Sequence, residues 1–180
     1  IAARQMSADA TLLVLAADHV IKDRHAFLKT VKSMLPIAEQ GRLITFGIPA
    51  TRPDTGFGYI HCGEKLGDKA YLVDAFVEKP DKTTAQKYID AGDYFWNSGM
   101  FLFRADAYLD ELKRWQPEIY NCCTQAWEQR EKHFHEFEAF TNDMFACCPS
   151  MSIDYAVMEY TDKAVMAPLD AGWNDVGSWS

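Results

Sequence analysis

Seven consecutive apolar or small residues, Thr11 to Ala17 (TLLVLAA), run directly into Asp18-His19. An unbroken apolar run that stops abruptly at polar residues is the pattern of a buried parallel strand ending at the rim of a sheet. Asp23 then opens a helix in which Phe27, Val31, Leu35 and Ala38 recur at helical spacing, and Gly41 stops it. A second apolar run, Leu43 to Ile48, follows. Strand, helix, strand at these lengths predicts a βαβ unit with a right-handed parallel crossover, and so an α/β fold.

The remaining chain carries the same alternation. Pro49 to Gly58 (PATRPDTGFG) is a loop rich in turn formers, in which Gly56 and Gly58 let the backbone approach a ligand. Tyr59–Cys62 and Tyr71–Val77 read as strands joined through the polar stretch 63–70. Helices are expected from Pro80 to Ala91, closed by Gly92, from Ala105 to Trp115, and onward from Pro117. Met100–Phe103 and Lys163–Leu169 read as strands, Ser152 as the cap of a further helix, and 171–179 as a glycine- and tryptophan-rich loop.

Two stretches concentrate chemistry. Phe76-Val77-Glu78-Lys79-Pro80 ends an apolar run in an acid and a base, and Trp96-Asn97-Ser98-Gly99-Met100-Phe101 opens another with an amide and a hydroxyl. Strands that end in polar groups present ligand sites at the rim of an α/β sheet. Taken alone, Glu78-Lys79 is also what an exposed ion pair looks like, Asn97 a strand-end amide, and Asp18, Asp154 and Asp175 helix caps or turn residues.

Composition narrows the function classes. At 180 residues with 48% hydrophobic content, the chain is long enough for a real core. A net charge of −8 argues against a duplex nucleic-acid binder. No apolar run reaches the roughly 20 residues that span a bilayer. The five cysteines, Cys62, Cys122, Cys123, Cys147 and Cys148, are odd in number and include two vicinal pairs. That is a poor disulfide framework and points to reduced thiols in a cytoplasmic protein. Cys122, Cys123, Cys147 and Cys148, with His133 and His135 between them, superficially suggest zinc, but the spacing is not that of a zinc site.

The segments LAADHVI, TFGIPATRPDTGFGYI, FVEKPD, YFWNSGMFLFRA, SIDYAVME and LDAGWNDVGSWS, in this order, cover almost the whole chain. Together they resemble the bacterial mannose-1-phosphate guanylyltransferases of the sugar-nucleotidyltransferase superfamily. The resemblance implies a Rossmann-like mixed α/β fold with a mostly parallel sheet, and the reaction of mannose 1-phosphate with GTP to GDP-mannose and pyrophosphate, assisted by Mg²⁺. It assigns Asp18 and Asp175 to the metal, Lys79 to the sugar phosphate, and Gly58, Glu78, Asn97 and Asp154 to the sugar. Asp18, Lys79 and Asp175 are then the catalytic set, while His19 is expected to pack behind them.

Partners expected on the same basis are mannose 1-phosphate, GTP and GDP-mannose, with no nucleic acid and no membrane, and with homo-oligomerisation left open. The family's glycine-rich nucleotide loop has no counterpart here. The chain therefore reads as a single partial domain, 1–180, truncated at its N-terminus and carrying the sugar-phosphate and metal part. Tyr160 stands where such proteins commonly have Lys. Two alternatives accompany this reading: a non-catalytic fragment that binds sugar phosphate or nucleotide sugar, and a hexose-1-phosphate nucleotidyltransferase with another base or sugar.

Overall fold

Strand β6, Tyr94–Arg104, organises the sheet because it pairs with other strands on both of its edges. The computed structural model describes residues 1–132, 138–139, 145–146 and 148–176. On one edge β6 pairs antiparallel with β3 (Leu43–Pro49) from Phe95 to Leu102. On the other it pairs with β1 (Thr11–Val14) through Phe101–Arg104 and with β4 (Tyr59–Leu66) through Tyr94–Trp96. Beyond β3 lie β9 (Ala164–Pro168) and then β5 (Ala70–Val77), which returns to β4. β2 (His19–Ile21) pairs with β10 (Trp173–Asp175) in a separate ladder, and β7 (Glu131–Lys132) with β8 (Glu138–Ala139) in another.

The mixed α/β class expected from the sequence is what the chain adopts. β1, β3, β4 and β9 run in one direction and β5 and β6 in the other, so four of the six strands are parallel in sense. Only β3 and β9 are parallel neighbours among the described pairs. The predicted β1–helix–β3 unit is present, but β6 is inserted between its two strands.

The helices are α1 (Ala2–Met6), α2 (Arg24–Glu39), α3 (Lys82–Ala91), α4 (Ala105–Trp115) and α5 (Pro117–Gln129). Their ends obey local chemistry. Asp23 accepts from Ala26 N–H at 2.9 Å to cap α2, and Asp81 accepts from Thr84 N–H at 2.8 Å to cap α3. Gly92, at φ +77°, takes the left-handed turn that closes α3.

Strand alternation divides the core between two faces. Ile44, Phe46, Met100, Leu102, Val165 and Ala167 face α2, with its Phe27, Val31, Met34 and Ala38. Leu43, Phe101, Phe103, Ala164 and Met166 face the other side, toward Ala107 and Leu112 of α4 and the Ala156–Met158 turn. Gly47 sits in β3 because a Cβ there would lie 2.9 Å from Phe95 Cβ.

Three expectations change. β1 is not buried: Leu13, Val14 and Leu15 are exposed, since β1 has a described partner on one edge only. The loop expected at 171–179 contains β10. The helix expected after Ser152 is a single π-turn, Asp154–Met158, and Ser152 Oγ accepts from Tyr155 N–H at a long 3.5 Å. His133, His135, Cys147 and Trp179 lie outside the described residues.

On the face where β5, β4 and the start of β6 meet, His61 of β4 bridges two carboxylates, Asp74 at 2.9 Å and Asp93 at 3.0 Å. Its ring also stacks on Tyr94. Burial lowers the His61 pKa, but the hydrogen bonds to Asp93 and Asp74 outweigh it, and the net shift is upward from 6.5. A raised folded-state value gives stability that is complete below 6.5 and is lost as pH rises through the folded pKa. Replacement His61→Gln should therefore cost about 1 kcal/mol or less at pH 6, the range of exposed ion pairs, and still less at pH 8.5. Urea unfolding of both proteins at the two pH values measures the difference.

Candidate active site

The chain sets Glu78 inward and Lys79 outward as β5 runs out. The Glu78 side chain is only 9% exposed, whereas that of Lys79 is 59% exposed, with Nζ 3.5 Å from Glu78 Oε1. Glu78 Oε2 is buried and has no hydrogen-bond partner among the described residues. Gly58, at the head of β4, explains how the two segments pack: a Cβ there would collide with Glu78 Oε2 and lie 3.3 Å from Asn97 Cβ. The close approach seen at Gly58 is to the side chains of Glu78 and Asn97, and space rather than dihedral freedom demands glycine.

Asn97 sits on a bulge. Between the pairs Gly47↔Asn97 and Thr45↔Phe101, β3 advances two residues and β6 four. The extra residues turn the Asn97 amide into the cleft, as bulges commonly do near sites. Its Oδ1 accepts from Thr45 Oγ1 and from Gly99 N–H, each at 3.1 Å, and its Nδ2 donates to Asp154 Oδ1 at 2.9 Å. Asn97 therefore works chiefly as the holder of Asp154.

Glu78 and Asp154 share the cleft, and both carboxyls are held above the usual carboxylate range. For Glu78 the causes are burial first, then the nearby Asp154, against the partial relief of Lys79. For Asp154 burial outweighs the hydrogen bonds from Asn97 and Ser152.

The β2–β10 ladder closes the opposite wall. Asp175 lies across from His19, and Val176 N–H donates to the Asp18 carbonyl at 3.2 Å. Of the two aspartates expected to bind metal, Asp175 therefore lies in β10 and Asp18 directly precedes β2 at the same end of the ladder, with the Asp18 side chain 65% exposed. His19 packs edge-on against Trp173, whose indole N–H donates to Nδ1 at 3.2 Å; an indole can only donate, so the ring proton lies on Nε2.

These walls enclose a cleft of about 150 Å³ lined by Gly58, Glu78, Lys79, Asn97, Asp154 and Asp175, with Phe57 and Trp173. A second lobe of about 580 Å³ shares Glu78, Lys79 and Asp154 and extends past Ser152, Tyr155 and Tyr160. A larger groove, about 730 Å³, lies elsewhere around Arg42, Arg104 and Lys163. It mixes those cations with Glu39, Asp106, Asp110 and Asp162 and contains none of the expected residues.

The oxygen-only donors Asp18 and Asp175 suit a hard, hydrated cation such as Mg²⁺. Among the described residues no group of three or more His, Cys, Asp or Glu could hold a metal ion. An ion here would complete its shell with water or ligand oxygens.

Residues 1–180 match the nucleotidyl transferase family throughout. The chain belongs to that family. The xanthan biosynthesis protein XanB of Xanthomonas campestris is 56% identical over 96% of this chain, and mannose-1-phosphate guanylyltransferase RfbM of Salmonella typhimurium is 54% identical over 97%. Both matches cover 36% of the relative, so this nucleotidyl transferase chain spans just over a third of their length. The crystal structure of mannose-6-phosphate isomerase from Helicobacter pylori superposes with a TM-score of 0.87 at 34% identity, covering 97% of this chain and 67% of that one. The resemblance read from the motifs is borne out. No helix among the described residues is long and apolar enough to cross a membrane.

Six of the seven expected site residues line the small cleft, and Asp18 adjoins it through His19. Sequence reasoning missed Phe57, Ser98 and Gly99 as lining residues, and Glu159, whose Oε1 accepts from Glu78 N–H at 3.4 Å. Phe57 had a signal, being the aromatic held between two glycines; Glu159 had none. Since Asn97 donates to a buried carboxylate, Asn97→Asp should destabilise the chain by about 1–3 kcal/mol at pH 7, the cost of leaving such a group without its donor. Because the Asp154 carboxyl is held above its ordinary range, recovery of part of that loss is expected as the pH is lowered in the same denaturation series.

Proposed function

We propose that the protein to which this chain belongs makes GDP-mannose and pyrophosphate from mannose 1-phosphate and GTP, and that this chain carries the sugar-phosphate and metal part of the site as one partial domain. The observation that carries the reading is the gathering of Gly58, Glu78, Lys79, Asn97, Asp154 and Asp175 around one cleft. The names of the relatives, RfbM among them, point the same way.

In this reading the hexose enters the small lobe. Glu78 Oε2, lacking a partner, takes a sugar hydroxyl, which can donate or accept and so suits either protonation state. Asp154, fixed by Asn97, takes another. Lys79 is exposed and only loosely paired, so its ammonium can turn to the sugar phosphate as a point charge. Asp18 and Asp175 would hold Mg²⁺, which would supply neutralisation of phosphate charge. Nucleotidyl transfer is an in-line displacement at the α-phosphorus, driven by positioning and charge neutralisation, and the attacking phosphate is already ionised. No general base is required, which agrees with a His19 committed to Trp173.

The test is calorimetric titration of GDP-mannose into this chain with and without Mg²⁺. Binding that needs the metal and is lost in Asp175→Asn is the expected outcome. Equal affinity in all three cases would remove the metal from the reading. An intact protein that fails to turn over mannose 1-phosphate with GTP and Mg²⁺ would overturn the activity itself.

Gly58→Ala gives a sharper check on the sugar lobe. The new methyl displaces the flexible end of Glu78 rather than backbone, so the fold should survive while GDP-mannose affinity falls about tenfold, roughly 1.4 kcal/mol. Unchanged affinity would place the sugar elsewhere.

A further inference from the structure

The two walls of the cleft belong to different sheets. Asn97 stands in β6 and Gly58 directly ahead of β4, both in the main sheet, whereas Asp175 stands in β10 of the separate β2–β10 ladder. No strand pairing joins the two sheets among the described residues. Side-chain packing must therefore set the spacing of the walls. In-line transfer is sensitive to that spacing, since a misplacement of about 1 Å can cost on the order of a hundredfold in rate.

Phe57 spans the gap. Its ring centroid lies 5.3 Å from that of Trp96, the neighbour of Asn97, and 5.4 Å from that of Trp173, on the same short strand as Asp175. Both pairs are inclined, at 57° and 67°, in the range where aromatic rings attract. Trp96 is buried and fixed in the sheet between Ile48 and Tyr59, and Trp173 is paired with Ile21 and bonded to His19. Elsewhere the walls leave room. His19 faces Gly99, where even a Cβ would lie 3.8 Å from its Cε1. Trp96 and Trp173 also border a cavity of about 390 Å³ that Phe57 does not line.

Asp54 holds Phe57 from behind. Its Oδ1 accepts from Gly56 N–H at 2.9 Å, and its Oδ2 accepts from Arg52 Nε at 3.1 Å and Nη2 at 2.8 Å. The hydroxyl of the buried Tyr59 donates to the Asp54 carbonyl at 2.9 Å, so the loop is tied on both sides of Phe57. Arg52 in turn lies over the Trp96 ring at 5.0 Å, which anchors the loop to the same wall.

We infer that Phe57, fixed by Asp54, is a positioning residue that sets the distance between the wall carrying Asn97 and the wall carrying Asp175; the inference rests on the function proposed above. Removing the ring leaves each wall intact and lets their spacing drift.

The experiment has two readouts. In the intact protein, Phe57→Ala should lower kcat about tenfold while KM for mannose 1-phosphate moves by less than about threefold, the mark of lost alignment rather than lost binding. In this chain, the Mg²⁺ concentration that gives half-maximal GDP-mannose binding by calorimetry should rise about tenfold in the same variant. Phe57→Tyr, which keeps the ring, should restore most of both, and Asp54→Ala should shift both in the direction of Phe57→Ala. Thermal unfolding checks each fold, and Phe57→Leu, which keeps apolar volume without the ring, replaces Phe57→Ala should that variant not fold. A folded Phe57→Ala or Phe57→Leu with unchanged kcat and unchanged Mg²⁺ midpoint would overturn the inference, as would a rise in KM with kcat unchanged. An unsubstituted intact protein without turnover would instead remove the proposed function, and the inference with it.

Discussion

Glu78 and Asp154 are two carboxyls that have lost much of their water, and Asp154 stands close enough to disfavour the charge on Glu78. The neighbourhood is arranged around that cost. Lys79 offsets it from the solvent side, Asn97 from within the sheet, and Ser152 from the turn that carries Asp154. Asn97 can do this only because Thr45 and Gly99 fix its oxygen, leaving the nitrogen to face the carboxylate. Thr45 is itself fully buried, so one hydrogen-bonded chain connects the middle of β3 to the lip of the cleft. A polar chain of this kind is stable when every member is satisfied, and Glu78 Oε2 is the member left over. The vacant valence lies where a ligand would enter.

What could be read from the chain beforehand followed from local chemistry. The caps at Asp23 and Asp81, the stop at Gly92, and Pro117 at the first turn of α5 each act within a few residues, so sequence alone locates them. The site residues were legible for another reason: they stand at the ends of apolar runs, where chain order and family motifs coincide. What escaped depends on partners distant in sequence. β2 and β10 are three residues each, too short for alternation to show, yet their pairing sets Asp175 opposite His19, the neighbour of Asp18. The insertion of β6 between β1 and β3 is a choice of neighbours, which no periodicity encodes. The exposure of Leu13, Val14 and Leu15 likewise depends on what pairs with β1, not on its composition.

The same division explains Asn97. Its type and position between a tryptophan and a glycine were visible, but its part as a holder of Asp154 required the bulge that shifts β6 against β3. Without those extra residues, the alternation of β6 would continue unbroken and Gly99 would have no need of a φ of +67°. Positive φ is a cost that only glycine bears lightly, so Gly99 marks where regular pairing was given up to place the amide.

Lys79 bears the same kind of cost without glycine's freedom. It is the one non-glycine residue with positive φ among the described residues, at 46°, and it precedes Pro80, whose ring favours extended backbone in the residue before it. Such a conformation costs about 1–3 kcal/mol and persists only where both flanks are held. Both are. On one side Phe76 is packed in the core and Val77 is paired with Tyr59; on the other Pro80 is buried and Asp81 caps α3 through Thr84. The sheet and the helix cap therefore set the two ends of the turn, and Lys79 takes the conformation that joins them. A consequence is that Glu78 and Lys79, adjacent in sequence, part company in space: one carboxylate goes into the cleft and one ammonium stays in water at its mouth. An extended strand would also have sent them to opposite faces, but a turn at Lys79 keeps Nζ within 3.5 Å of the acid, so a single short segment places both a buried acceptor and an exposed cation at the same cleft.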